Sequence, residues 1–217
     1  MFRSSGLEEL SSRDVRFLID EIGLRTVIDL RSADDCETAE PLVDTSVRHV
    51  NLPIVREGSL TTLERPMRAD GRADMARIYG MYIEKSGAAI GEIIAELTSG
   101  ATPAVIHCAA GKDRTGVVAA ILLSAVGVTR DAVVADFMAT EPALDDIHAY
   151  LQRRPAWADL VLRLPPGTMD VEPSFMVDFL ADVDRTYGGI VTWLTGHVGI
   201  STESIGRLEQ LLVEPRD

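Results

Sequence analysis

The chain is predicted to be an α/β protein with a mostly parallel central sheet flanked by helices, a helical C-terminal half and a lid region. Three observations predict this. Short β-branched runs alternate with helical patterns in the first half, which favours parallel strands joined by helices. An apolar helix pattern stands directly behind the buried-strand run Ala104-Val105-Ile106-His107. Beyond Glu141 the patterning is helical and is interrupted only at Pro155, Pro165-Pro166-Gly167 and Gly188-Gly189. With 217 residues, 46% of them hydrophobic and 25% charged, the chain can bury a full core, and one domain over 1–217 is expected.

In order along the chain, Ser12 to Ile22 reads as a helix stopped at Gly23, and Thr26-Val27-Ile28-Asp29-Leu30 as a strand. Val47 to Pro53 is a second strand candidate. From Val55 to Asp74 the chain is rich in Arg, Glu, Gly and Thr with little periodicity, and 55–74 is expected to be a loop or lid. Helical patterning covers Met75 to Lys85 and again Ala88 to Leu97, closed by Ser99-Gly100. After the strand Ala104–His107, Thr115 to Val126 reads as an apolar helix. A helical part follows over 129–214, with Thr129 or Asp131 as its first cap.

The net charge of −13 argues against nucleic acid or an anionic membrane surface as a partner. An anionic substrate would therefore need a locally positive pocket. Only Lys85 and Lys112 are lysines, so Lys112 stands out. The two cysteines, Cys36 and Cys108, are too few for a disulfide framework or paired metal-ligand motifs, and no metal or other cofactor is expected. Charged residues follow the first few positions at once, which is not a signal-peptide pattern, and the longest apolar stretch falls short of the ~20 residues that span a bilayer. A reducing, cytoplasmic setting without stable membrane insertion is the expectation, and secretion by a signal-independent route is compatible with it. Oligomeric state is not legible.

The stretch that carries chemistry is His107-Cys108-Ala109-Ala110-Gly111-Lys112-Asp113-Arg114-Thr115-Gly116. A loop turning from the carboxyl end of a strand into a helix N-terminus aims several N–H groups at one spot and binds anions. Ala109, Ala110 and Gly111 leave those amides uncovered, and Gly111 tolerates a positive φ. Cys108 and Arg114 bracket the loop. A free thiol, with a pKa of ~8.5, needs a helix N-terminus and a nearby cation to become the nucleophilic thiolate. Arg114 can fork two hydrogen bonds onto phosphate oxygens, which Lys cannot do in a plane. Thr115 is placed to cap the helix and to offer its hydroxyl to the sulfur, and His107 to brace the loop. A nucleotide-binding loop is excluded, because Asp113 follows Lys112 where Ser or Thr is required and Ile106 holds an obligatory glycine position.

This stretch resembles the Cys-x5-Arg phosphatases, specifically the bacterial tyrosine or dual-specificity type. Phe2-Arg3-Ser4-Ser5 with Leu7, Asp29-Leu30-Arg31-Ser32, Leu52-Pro53, Tyr187-Gly188-Gly189 and Trp193-Leu194 fall in that family's order, so the resemblance runs from about Phe2 to Leu212. It implies a protein-tyrosine-phosphatase-like fold. It also implies metal-free hydrolysis of phosphotyrosine, often with phosphoserine, phosphothreonine or phosphoinositides, through a phosphocysteine on Cys108. Relatives carry a further segment before Phe-Arg-Ser, where this chain begins, so either its start lies upstream or the first strand is lost. Asp35 stands where Glu is usual, and Ile54-Val55-Arg56-Glu57 follows Leu52-Pro53 where some relatives place an aspartate.

Cleaving a phenyl ester also needs a proton donor. Asp113 is the first candidate, since a neighbouring thiolate and phosphate disfavour its ionised form. Glu57, Asp70 and Asp74 are the reserves. Lys112 would add a second cation to the phosphate site formed by Ala109, Ala110, Gly111, Lys112, Asp113 and Arg114. Arg31 either contacts substrate or braces the loop, with bracing preferred. The substrate partner is then a phosphorylated protein or phosphoinositide. The alternative function is a non-catalytic phosphate-binding module that keeps the cradle without turnover.

Overall fold

The computed structural model describes residues 1–33, 46–55 and 66–213. Its sheet has four parallel strands, β1 (Phe2–Ser4), β2 (Thr26–Asp29), β3 (Arg48–Asn51) and β4 (Ala104–His107), in the order β1-β4-β2-β3. Alternation along the strands divides the core between two faces. Val27 and Val105 meet Leu7, Leu24 and Val47 on one side, while Ile28 and Ile106 enter the larger core on the other. Phe2–Ser4 pairs with β4 and so stands at one edge of the sheet as β1.

The smaller core is covered by α1 (Ser12–Arg16), which continues as a wider π-helical turn over Phe17–Glu21. Ser11 starts α1 through a capping box with Asp14. The larger face is covered by α2 (Met75–Thr98) and α3 (Asp113–Ala125). α2 runs through Ser86, whose φ of −125° and ψ of 17° are not helical, at the point where the sequence separates two helices. There the Ser86 hydroxyl accepts the main-chain N–H of Val55 at 2.9 Å. The helical remainder comprises α4 (Arg130–Met138), α5 (Leu144–Gln152), α6 (Pro155–Val161), α7 (Pro173–Tyr187), α8 (Ile190–Trp193) and α9 (Thr202–Leu212). Pro155 opens α6, and Gly188 and Gly189, at φ 77° and 106°, separate α7 from α8.

Of the segment 55–74 read as a lid, residues 56–65 lie outside the described residues, as do Asp35, Cys36 and Glu57. Pro66 to Asp74 forms a tight reversal, with Asp74 N–H donating to the Pro66 carbonyl at 2.8 Å. It is docked on the loop before α7 by Ala73 N–H to the Pro166 carbonyl, 2.9 Å, and by Arg72 to Asp170 and Glu172. Among the described residues no helix is long and apolar enough to cross a membrane.

Candidate active site

β4 delivers Cys108 to the carboxyl edge of the sheet, and the chain then curls through Ala109 to Lys112 into α3. The curl depends on Gly111. Its φ is +69°, and a Cβ there would lie 2.6 Å from the carbonyl carbon and oxygen of Ser4 and the nitrogen of Ser5. β1 thus presses on the loop from one side. Gly6 N–H donates to the Ala109 carbonyl at 3.1 Å, and Arg3 reaches the Gly111 carbonyl at 3.5 Å while pairing with Asp136 of α4 at 3.2 Å. Among the described residues no main-chain carbonyl accepts the N–H groups of Ala109, Ala110, Gly111 or Lys112. These are the donors that an inward-facing cradle leaves for a ligand.

Cys108, Ala110, Lys112, Asp113 and Arg114 line one pocket. Cys108 and Arg114 are both buried residues, at 2% and 5% exposure. The walls are largely apolar. Met75, Ile78 and Tyr82 come from α2, Leu151 from α5 and Trp157 from α6, with Leu164, Thr168 and Met169 from the loop that follows.

Lys112 is fully buried, and its ammonium donates to Asp113 Oδ1 at 2.8 Å, the Thr168 carbonyl at 3.0 Å and the Asp170 carbonyl at 3.1 Å. A lysine ammonium has three protons to donate, so here they are directed at the protein. Lys112 ties the loop to the pocket wall at 168–170 and contributes its charge from there. Asp113 Oδ1 also accepts the Tyr79 hydroxyl at 2.7 Å. Burial first, and then the Asp113 carboxylate, hold the Tyr79 phenol well above its ordinary pKa, so it remains a donor.

Thr115 requires a correction. It does not cap the helix, because α3 starts two residues earlier, at Asp113, with Lys112 at the cap position and no side-chain capping bond. The reversal at Gly111 turns the backbone helical at once, placing Thr115 inside the first turn. Its hydroxyl is buried and has no hydrogen-bond partner among the described residues, the Cys108 sulfur included.

Behind the loop, His107 Nδ1 lies 3.3 Å from the Cys108 carbonyl oxygen and Nε2 lies 3.9 Å from Asp29. Burial holds the imidazole pKa below its usual value, against the pull of Asp29. Arg31 donates to Asp29 at 2.7 to 3.0 Å and to Glu8 on its other side. Burial pushes the Asp29 pKa up, but hydrogen bonds from Arg31 and the charges of His107 and Arg31 outweigh it and keep it low. Asp74 caps α2 by accepting the Arg77 N–H at 3.1 Å, and Asp70 pairs with Arg68 at 3.6 Å. Neither lines the pocket. Sequence reasoning missed Tyr79, Tyr82, Trp157 and Met169. The tyrosines sit on the buried face of a helix and carry no local signature, and the other two reach the pocket from distant segments.

Residues 1–214 match the family model described as the tyrosine phosphatase family. The chain is 31% identical over 148 residues to the triple specificity protein phosphatase PtpB of Mycobacterium tuberculosis, covering 62% of this chain and 53% of that protein. It is 26% identical over 200 residues to a Cupriavidus necator protein provisionally named a tyrosine-protein phosphatase, covering 89% of this chain and 72% of the relative. Against the tyrosine-protein phosphatase of Nostoc commune the identity is 24% over 222 residues, 95% of this chain and 72% of the relative. The chain thus spans about half the length of the mycobacterial protein. With a family model matched over nearly its whole length and an α/β fold on a parallel sheet, the chain belongs to the tyrosine phosphatase family.

Proposed function

We propose that the protein is a cysteine-dependent phosphatase that hydrolyses phosphotyrosine, and also phosphoserine, phosphothreonine or phosphoinositides, through a phosphocysteine intermediate. The observation that carries this reading is the meeting of Cys108 and Arg114 in one pocket, around a loop whose amides lack main-chain acceptors. In the first step the Cys108 thiolate attacks phosphorus and the ester P–O bond breaks. Asp113 gives a proton to the leaving oxygen from Oδ2, since Oδ1 accepts from Lys112 and Tyr79, so its carboxyl must enter this step protonated. In the second step water attacks the phosphocysteine, returns a proton to Asp113, and the P–S bond breaks. Arg114 and the loop amides hold the equatorial oxygens as charge builds on them.

Asp113 is favoured over Asp70 and Asp74 because it lines the pocket and they do not. The walls from Tyr82, Ile78 and Trp157 offer a phenyl ring an apolar slot, which supports phosphotyrosine as a substrate. The names of the relatives support the same class, and the triple specificity of the mycobacterial one supports the wider list. A reducing, cytoplasmic compartment belongs to this reading, since the nucleophile must stay a thiol. The test is a phosphate-release panel with phosphotyrosine, phosphoserine and phosphoinositide substrates in the presence of a chelator. Release is expected from phosphotyrosine, abolished by Cys108→Ser. Phosphopeptide binding displaced by inorganic phosphate, with no release, would instead mark a non-catalytic module.

A further inference from the structure

Glu8 stands outside the pocket, yet it joins three elements around it. Its side chain is 8% exposed. One carboxylate oxygen accepts from Arg31, which follows β2. The other accepts the Tyr150 hydroxyl of α5 at 2.7 Å and the Arg154 guanidinium, which precedes α6, at 3.1 Å. The Arg154 guanidinium in turn lies over the Tyr150 ring, 4.6 Å from its centre. Burial opposes ionisation of Glu8, but Tyr150 and Arg31 outweigh it and keep the carboxylate charged. The fit is close. A Cβ on Gly6 would collide with the Glu8 carboxylate and the Tyr150 hydroxyl, and Gly6 N–H itself donates to the Ala109 carbonyl.

The wall that α5 and α6 present to the pocket is Leu151 and Trp157, next in the chain to Tyr150 and close to Arg154. These residues pack with Ile147 and Tyr150 against Ala109 of the loop as a small core of their own, separate from the main one. Leu160, Val161 and Met169 pack on that core and Arg153 pairs with Glu9 at 2.9 Å on its exposed side, while the Glu8 carboxylate supplies a buried polar tie between it and the residues beside the loop. We propose that Glu8, through Tyr150 and Arg154, is a positioning residue that sets the Leu151 and Trp157 wall and thereby the affinity for the organic group of the substrate rather than for its phosphate. The inference builds on the phosphatase reading for the identity of the substrate, but its test does not require turnover.

The experiment is calorimetric titration of wild type, Glu8→Gln and Tyr150→Phe with phenylphosphonate and, separately, inorganic phosphate. Tyr150→Phe keeps the ring beneath Arg154 and removes only the hydroxyl, so it decides the matter if Glu8→Gln does not fold. Phenylphosphonate Kd is expected to rise about tenfold in each variant, in keeping with loss of a hydrogen bond to a buried charge, while phosphate Kd stays unchanged. Equal shifts for both ligands, or no shift for either, would overturn the proposal. Phosphate release by wild type, measured alongside, reports on the phosphatase reading independently.

Discussion

Gly111→Ala isolates the contribution of the loop's shape. Two effects add at this position. The residue sits at φ +69°, and an alanine held in the left-handed region costs about 1–2 kcal/mol. Its Cβ would also lie 2.6 Å from main-chain atoms of Ser4 and Ser5, where ordinary contact begins at 3.4 Å, so 3.4 − 2.6 = 0.8 Å of movement is required. All the atoms met are backbone, from Ser4 at the end of β1 and from Ser5 just after it, and β1 is paired to β4. Either β1 peels from the sheet or the loop shifts away from it. Together the two effects should lower stability by about 3–4 kcal/mol, and displacement of the loop should lower turnover by about 100-fold. Gly127→Ala is the internal control. Gly127 has a similar φ of +77° with nothing within 4 Å of its Cβ position, so it should lose only about 1 kcal/mol and keep its activity. Urea unfolding of both variants, with turnover of an aryl phosphate, measures the difference. Equal stability losses and full activity in Gly111→Ala would refute the argument that β1 moulds the loop.

Three further outcomes are expected. Tyr79→Phe removes the 2.7 Å hydrogen bond to Asp113 Oδ1 and should cost about 1.5–3 kcal/mol, read by urea unfolding, with an altered pH–rate profile because the acid loses a fixed donor. Asp113→Asn should slow hydrolysis of phosphotyrosine peptides by about 100-fold or more, and an unchanged rate would move the acid elsewhere. Stability should fall on acidification, because His107, Glu8 and Asp29 all have pKa values depressed in the fold. Each contributes stability that is complete above its unfolded value and lost as pH falls from that value toward the folded one. The loss therefore begins with His107 near 6.5 and continues through Glu8 from 4.5 and Asp29 from 3.8, whereas a urea midpoint that is flat from neutral pH down to 4 would contradict it.

What the sequence made legible was local. β2 and β4 are short β-branched runs bounded by clear stops, and the cradle is one contiguous stretch, so its placement between strand and helix followed directly from order along the chain. The break in α2 was marked by Ser86-Gly87. β1 was not legible, because Phe2–Ser4 is too short for a pattern and only its pairing with β4 makes it a strand. Thr115 was read as a cap because its residue type prefers that position, and the reversal at Gly111 overrode the preference by starting the helix earlier. Lys112 illustrates the same limit. Its charge was visible, but the Thr168 and Asp170 carbonyls that hold it lie far along the chain and act through main-chain atoms that no residue type announces. The apolar wall of the pocket was invisible for that reason too, since α2, α5 and α6 each supply part of it.

The proposed mechanism requires the sulfur of Cys108 to carry the phosphoryl group during turnover. Rapid acid quench of the enzyme mixed with excess aryl phosphate, followed by peptide mass analysis under conditions that preserve P–S bonds, reads whether it does. The peptide containing Cys108 should gain the mass of one phosphoryl group in wild type and none in Cys108→Ser. Phosphate release proceeding at an undiminished rate in Cys108→Ser, with no phosphorylated peptide from wild type, would contradict the mechanism at its root.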